Sequence, residues 1–133
     1  MKAVVDTNVV VSSIFWGGIP RKIVEHWLNG AFTLVICNEI IKEYETIFRR
    51  ISQKYKRFES DELLQLIVQN AKFYPVVPNL GPECRDVKDQ VFLDLAVIAN
   101  AKYLVSGDKD LLDIEKYSGG RVIKPKPFLD LFS

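Results

Sequence analysis

At 133 residues the chain is near the commonest size of one domain, and no linker, internal repeat or low-complexity tract divides it, so one unit over residues 1–133 is expected. Hydrophobic residues at 48% and charged residues at 26% exclude a disordered or membrane-embedded class. Eighteen Lys and Arg against 17 Asp and Glu, a net charge of +1, exclude a globally basic nucleic-acid binder and leave only a local patch for such contacts.

Apolar runs alternate with helical stripes along the chain, the pattern of βαβ units and a mainly parallel sheet between two helical layers, an α/β/α sandwich. Residues 2 to 5 read as the first strand with a short continuation, and Trp16-Gly17-Gly18 as a loop near the cleft. A helix from about Arg21 to Asn29 places Ile23, Val24, Trp27 and Leu28 on one face, and Gly30 ends it. Thr33 to Ile36 is a second strand. Asn38 then caps the longest helix, whose stripe runs through Ile40, Ile41, Tyr44, Ile47, Phe48, Ile51 and Tyr55. Glu43, three residues after Ile40 and four before Ile47, must stand beside that stripe.

Ser60 or Asp61 caps the next helix, with Leu63, Leu64, Ile67, Val68 and Ala71 inward. Residues 73 to 77 are extended, and Pro75 and Pro78 suit a sheet edge. Residues 78 to 88 are a loop that leads into a largely apolar helix from about Asp89 to Ala101. A strand at Tyr103 to Ser106, a short helix at about Lys109 to Ile114, an extended Arg121 to Ile123 and a last turn near Phe128 complete the chain. Cys37 and Cys84 form no CxxC or Cys–His cluster, which argues against structural zinc. With no leader and no long apolar run, the expected location is the cytoplasm, without membrane contact.

Asp6 and Asp108 each follow a strand, where open α/β sheets place their ligands. Asp89 stands at a helix start and Glu43 on a helix flanking the sheet. Four carboxylates converging on one cleft repel one another unless they share a cation, which points to a hard divalent metal and hydrolytic chemistry. Singly, each acid has an ordinary reading: Asp6 and Asp108 as turn or cap residues, Asp89 as an N-cap, Glu43 as a lysine partner. Asp86, three residues before Asp89, is the alternative third ligand, and Asp94 and Asp110 read as solvated or as supports behind the ligands.

Val4-Val5-Asp6-Thr7-Asn8-Val9, the helical Glu43, the run Asp86 to Ala96, and Tyr103-Leu104-Val105-Ser106-Gly107-Asp108-Lys109-Asp110-Leu111-Leu112 together resemble the PIN-domain nucleases, most closely the small prokaryotic proteins grouped with toxin–antitoxin toxins. The resemblance covers essentially the whole chain. It implies a Mg²⁺- or Mn²⁺-dependent endoribonuclease with Asp6, Glu43, Asp89 and Asp108 on the catalytic positions, an RNA substrate, an antitoxin partner and a homodimer. Asp6, Asp89 and Asp108 are assigned to the metal and Glu43 to the attacking water, while Thr7, Asn8 and Ser106 match flanking polar positions. Asn38 and Cys84-Arg85 depart from the family pattern, and neither removes a carboxylate.

The dense basic segment 49–58 offers Arg49, Arg50, Lys54 and Arg57 as phosphate contacts or as a solvated helix face. His26, the only histidine, lies far from the acids in sequence and reads as a surface or interface residue. A haloacid-dehalogenase-like phosphatase needs a second Asp two residues after the first, where this chain has Asn8. A receiver domain needs an acid pair at its first strand and a later strand-end lysine, neither of which is clear here. A non-catalytic RNA-binding or assembly module of PIN-like fold is the remaining alternative.

Overall fold

The alternation of short apolar runs and amphipathic stretches becomes, in the computed structural model of residues 1–55 and 59–133, one six-stranded sheet with helices on both faces. The strands are β1 (Lys2–Val5), β2 (Thr33–Ile36), β3 (Lys72–Phe73), β4 (Tyr103–Val105), β5 (Lys116–Tyr117) and β6 (Gly120–Ile123), in the order β3-β2-β1-β4-β6-β5. Every pair is parallel except β5 with β6. Parallel neighbours need crossovers, and helices supply them: α1 (Thr7–Phe15), α2 (Gly18–Leu28), α3 (Asn38–Tyr55), α4 (Glu59–Asn70), α5 (Gln90–Ile98) and α6 (Lys109–Leu112), while α7 (Pro125–Asp130) follows the last strand.

Val4, Val5, Leu104 and Val105 are buried in the central pair β1 and β4, as a sheet covered on both faces requires. Val5 and Leu34 pack with Val10 of α1, Ile23 and Trp27 of α2, and Leu63 and Ile67 of α4. On the same face Phe128 of α7 meets Phe32 and Tyr103 edge to face. α5, buried on most of its surface, packs on β1 and β4.

The strand continuation expected after residue 5 is instead helix α1. Thr7-Asn8-Val9-Val10-Val11 is β-branched and favours a strand locally, but seven of the nine residues of α1 are buried, and that tertiary burial overrides a weak local preference. Trp16 ends α1, and positive φ at Gly17 and Gly18 turns the chain directly into α2, three residues earlier than expected. α4 begins at Glu59, so neither Ser60 nor Asp61 is its cap. Trp27 and Phe128 are core residues, and Phe132 packs on His26, Phe32 and Phe128.

Candidate active site

β1 runs through the middle of the sheet, so its carboxyl end opens onto the centre of the molecule, and Asp6 is the first residue past it. The Asp6 N–H still donates to Val105 O at 2.9 Å, prolonging the β1–β4 ladder by one residue, and its carbonyl accepts the first bonds of α1. The side chain makes no cap bond; it accepts from Ser106 Oγ at 2.6 Å. Ser106, fully buried after β4, also accepts from the Asp108 N–H at 2.9 Å. One hydroxyl therefore couples the ends of the two central strands and sets Asp6 beside Asp108. Asp108 in turn caps α6, its carboxylate accepting from the Leu111 N–H at 3.3 Å.

α3 brings Glu43. Tyr44, fully buried, donates its hydroxyl to Val5 O, pinning the first turns of α3 against the end of β1. Thr7 donates its hydroxyl to Glu43 Oε2, which fixes the carboxylate one residue from Asp6. Asp89 arrives on the opposite wall at the end of a single 3₁₀ turn, Val87–Asp89, that feeds α5. As the N-cap of α5 it makes no side-chain cap bond, so the structure gives its carboxylate no capping role.

These residues line one pocket: Asp6, Thr7, Asn8, Glu43, Ile47, Asp86, Asp89 and Asp108. Five of the eight are carboxylates and none is a cation. The electrostatic consequence falls on Asp89, pushed up to about 8 by burial, by its hydrogen bond with Asp108 and by the charges of Asp108, Asp6 and Asp86. Burial likewise raises Asp6, against the lowering effect of the Ser106 hydroxyl, and the charges of Asp108 and Glu43 add to the rise.

All four principal acids singled out in the sequence thus face one cavity, with Thr7 and Ser106 bonded to two of them and Asn8 exposed at its wall. The tightest acidic group has a different membership. Among the described residues, Asp86, Asp89 and Asp110 form the one triad whose carboxylate oxygens all lie within 4.8 Å of one another. Asp86 is exposed and Asp89 and Asp110 are half-buried, so this triad sits at the rim and shares Asp89 with the pocket. Among the described residues it has one ion pair, with Arg85, whose Nε is 4.0 Å from Asp110. An all-oxygen donor set of this kind suits a hard divalent cation and offers nothing to a soft one.

The residue that sequence reasoning undervalued is Asp94. It is 2% exposed, not solvated, and accepts from Asn79 N at 3.1 Å, Gly81 N at 2.8 Å and Gln90 Nε2 at 3.1 Å. Gln90, one turn earlier on α5, donates to Pro82 O and accepts from Cys84 N, both at 2.9 Å. Two side chains of one helix therefore clip the loop that delivers Asp86 and Asp89. Gly81 belongs to this clip: a Cβ there would stand 2.8 Å from the Leu93 backbone. The available sequence signal was the i, i+4 spacing of Gln90 and Asp94 on an otherwise apolar helix.

The proposed phosphate contacts divide differently. Arg49 and Arg50 are exposed on α3, Arg49 paired with Glu45 at 2.7 Å, and neither lines the pocket. The Lys54 side chain and Arg57 lie outside the described residues. His26 stacks on Phe132 and has no part in the pocket. No helix among the described residues is long and apolar enough to cross a membrane.

A family model described as a PIN domain matches residues 2–110, a span that takes in every acid of the pocket. No curated protein matches the chain.

Proposed function

The chain belongs to the PIN-domain family, whose members are generally nucleases that use divalent metals, and on that premise we propose that it is a Mg²⁺- or Mn²⁺-dependent endoribonuclease. The observation that carries this reading is the pocket of five carboxylates with no cation among its lining residues. Such a site is electrostatically incomplete on its own, as the raised Asp89 records, and a divalent cation completes it.

Asp6, Asp89 and Asp108 are the residues to hold the ion, with Asp86 and Asp110 as further donors at the rim through the shared Asp89. When bound, the cation supplies a sink for the charge of the phosphodiester transition state and acidifies water. The protein's own groups do the remaining work. Ser106 keeps Asp6 and Asp108 together, and Asp89 surrenders its proton as the site fills. Glu43, steadied by Thr7, accepts a proton from the attacking water, and Asn8 offers an amide at the wall to a phosphate oxygen. Hydrolysis by in-line attack of water leaves 5′-phosphate and 3′-hydroxyl ends.

A role as the toxin of a toxin–antitoxin pair and a homodimeric state in the cytoplasm are part of the proposal and rest on the resemblance of the ordered motifs. Exposed Leu28 on α2 and Leu66 and Val68 on α4 supply apolar surface for a second chain. The test is cleavage of single-stranded RNA with Mn²⁺, with Mg²⁺ and with chelator, followed by analysis of the product ends. Metal-dependent internal cleavage with 5′-phosphate ends supports the proposal, and intact RNA under every condition contradicts it.

A further inference from the structure

A pocket that gathers five carboxylates repels a polyanion even when one cation is bound, so attraction for a phosphate backbone must come from elsewhere on a molecule of net charge +1. The opposite edge of the sheet supplies it. At the amino ends of the strands stand Lys2 on β1, Lys72 on β3, Lys102 immediately before β4, Arg121 on β6 and Lys116 on β5. Four of them are tied through the backbone, Lys102 N bonding to Lys2 O, Arg121 N to Lys102 O, and Arg121 pairing with Lys116, while Lys72 pairs with Val35 of β2. Neighbouring strands are about 4.8 Å apart, so the cations of β1, β4, β6 and β5 stand on adjacent strands, with Lys72 across β2, which contributes none.

The segments that form this edge, residues 1–2, 29–33, 70–72, 99–102 and 116–121, contain no Asp or Glu. The ion pairs among the described residues lie elsewhere, at Arg49–Glu45, Arg85–Asp110 and Lys126–Asp130. Lys72, Lys102, Lys116 and Arg121 are exposed, and Lys2 is half-buried and tethered to Ala99 O at 3.2 Å.

Aromatic rings interleave the row. Lys2 Nζ and Lys72 Nζ stand 5.3 and 5.5 Å from the Tyr74 ring centroid, and Lys102 and Arg121 stand 5.8 and 5.7 Å from that of Tyr103. The two ammonium groups at Tyr74 also hold its phenol below the usual range. Convergent cations beside a half-exposed ring are what a single strand of nucleic acid needs: donors for phosphate and a face for a base.

We propose that the amino-terminal edge of the sheet, through Lys2, Lys72, Tyr74, Lys102 and Arg121, is a second contact surface for the RNA substrate, gripping the phosphate backbone outside the acidic pocket. The proposal rests on the reading of that pocket as a ribonuclease centre. β1 takes four residue steps from Lys2 to Asp6, about 13 Å at about 3.3 Å per residue, and because helices cover both faces the RNA joins the two surfaces by a longer path around a helical layer. A short oligonucleotide fills the pocket alone, and a longer one gains the edge.

The experiment measures binding of unstructured RNA of about 5 and about 20 nucleotides to the non-cleaving Asp6→Asn protein in Mg²⁺, from about 50 to about 200 mM salt, by fluorescence anisotropy. In that background the fourfold variant Lys2→Gln, Lys72→Gln, Lys102→Gln and Arg121→Gln should bind the longer RNA at least ~10-fold more weakly, with a log–log salt slope shallower by about 0.7 for each cation lost. The variant with Lys72, Lys102 and Arg121 replaced, which keeps the Lys2 tether, should show the larger part of that loss. Replacement of the three lysines by arginine should restore binding. Unchanged affinity and slope in a folded fourfold variant would overturn the proposal and leave the pocket reading standing. Binding of acidic peptide but not RNA at this edge would also overturn it, and failure of the wild-type protein to bind or cleave any RNA in Mg²⁺ or Mn²⁺ would overturn it together with the ribonuclease reading.

Discussion

Ser106 shows how a single residue governs the pocket: its hydroxyl donates to Asp6 and accepts from the Asp108 backbone. Ser106→Ala should destabilise the fold by about 1–3 kcal/mol, the cost of unsatisfied buried partners, and should weaken Mn²⁺ binding, measured by denaturant and metal titrations together. Asp108→Asn separates cap from ligand, because asparagine caps a helix as well as aspartate. Melting should therefore stay close to wild type while RNA cleavage is lost. Asp89 gives a pH signature. Its carboxyl rises from 3.8 to about 8 in the folded protein, so the folded state holds an extra proton between those values. Metal-free protein should lose stability as pH rises from about 4 to about 8, since the charged form is the disfavoured one. Asp89→Asn should flatten that slope, and a slope unaltered by the substitution in chemical denaturation series would refute the assignment.

Among the elements, β1, β2, β4, β6 and the long helix α3 were legible because hydrophobic runs and stripes carry their own period, and Glu43 was legible because its offset from Ile40 and Ile47 fixes its side of the helix. α1 was not legible: its β-branched composition states a preference that only the burial of both its sides reverses. The i, i+4 spacing of Gln90 and Asp94 hinted at their pairing, but their hold on loop 79–84 was not legible, because the Asp94 partners there are backbone groups 13 and 15 residues away, which no side-chain pattern records. Asp86 was named as the alternative third ligand and Asp110 as a solvated or supporting acid, but their meeting with Asp89 in one triad was not legible, since it depends on the approach of α6 to the 3₁₀ turn. Asp94→Ala should cost about 1–3 kcal/mol by stranding buried N–H groups, should open the loop to proteolysis and should lower metal affinity. Asp94→Ala with unchanged proteolysis and Mn²⁺ affinity would show that the clip does not set the acids.

Taken whole, the molecule is polarised along its strands, with carboxylates at one end of the sheet and cations at the other. A net charge of +1 conceals this, which is why composition alone gave no sign of a nucleic-acid partner. A cation that binds only the folded state must stabilise it, by about 2.7 kcal/mol at a hundredfold excess over Kd, so Mn²⁺ should raise the melting temperature of wild type and much less that of Asp6→Asn. The most direct test of the metal site at the centre of this account is calorimetric titration of Mn²⁺ near neutral pH in two buffers of different ionisation enthalpy, on wild type, Asp6→Asn and Asp89→Asn. The account predicts binding by wild type with release of protons, because Asp89 is still largely protonated there, proton release abolished in Asp89→Asn, and affinity sharply reduced in Asp6→Asn. Mn²⁺ binding of equal strength in all three proteins, or none in wild type at millimolar metal, would contradict it.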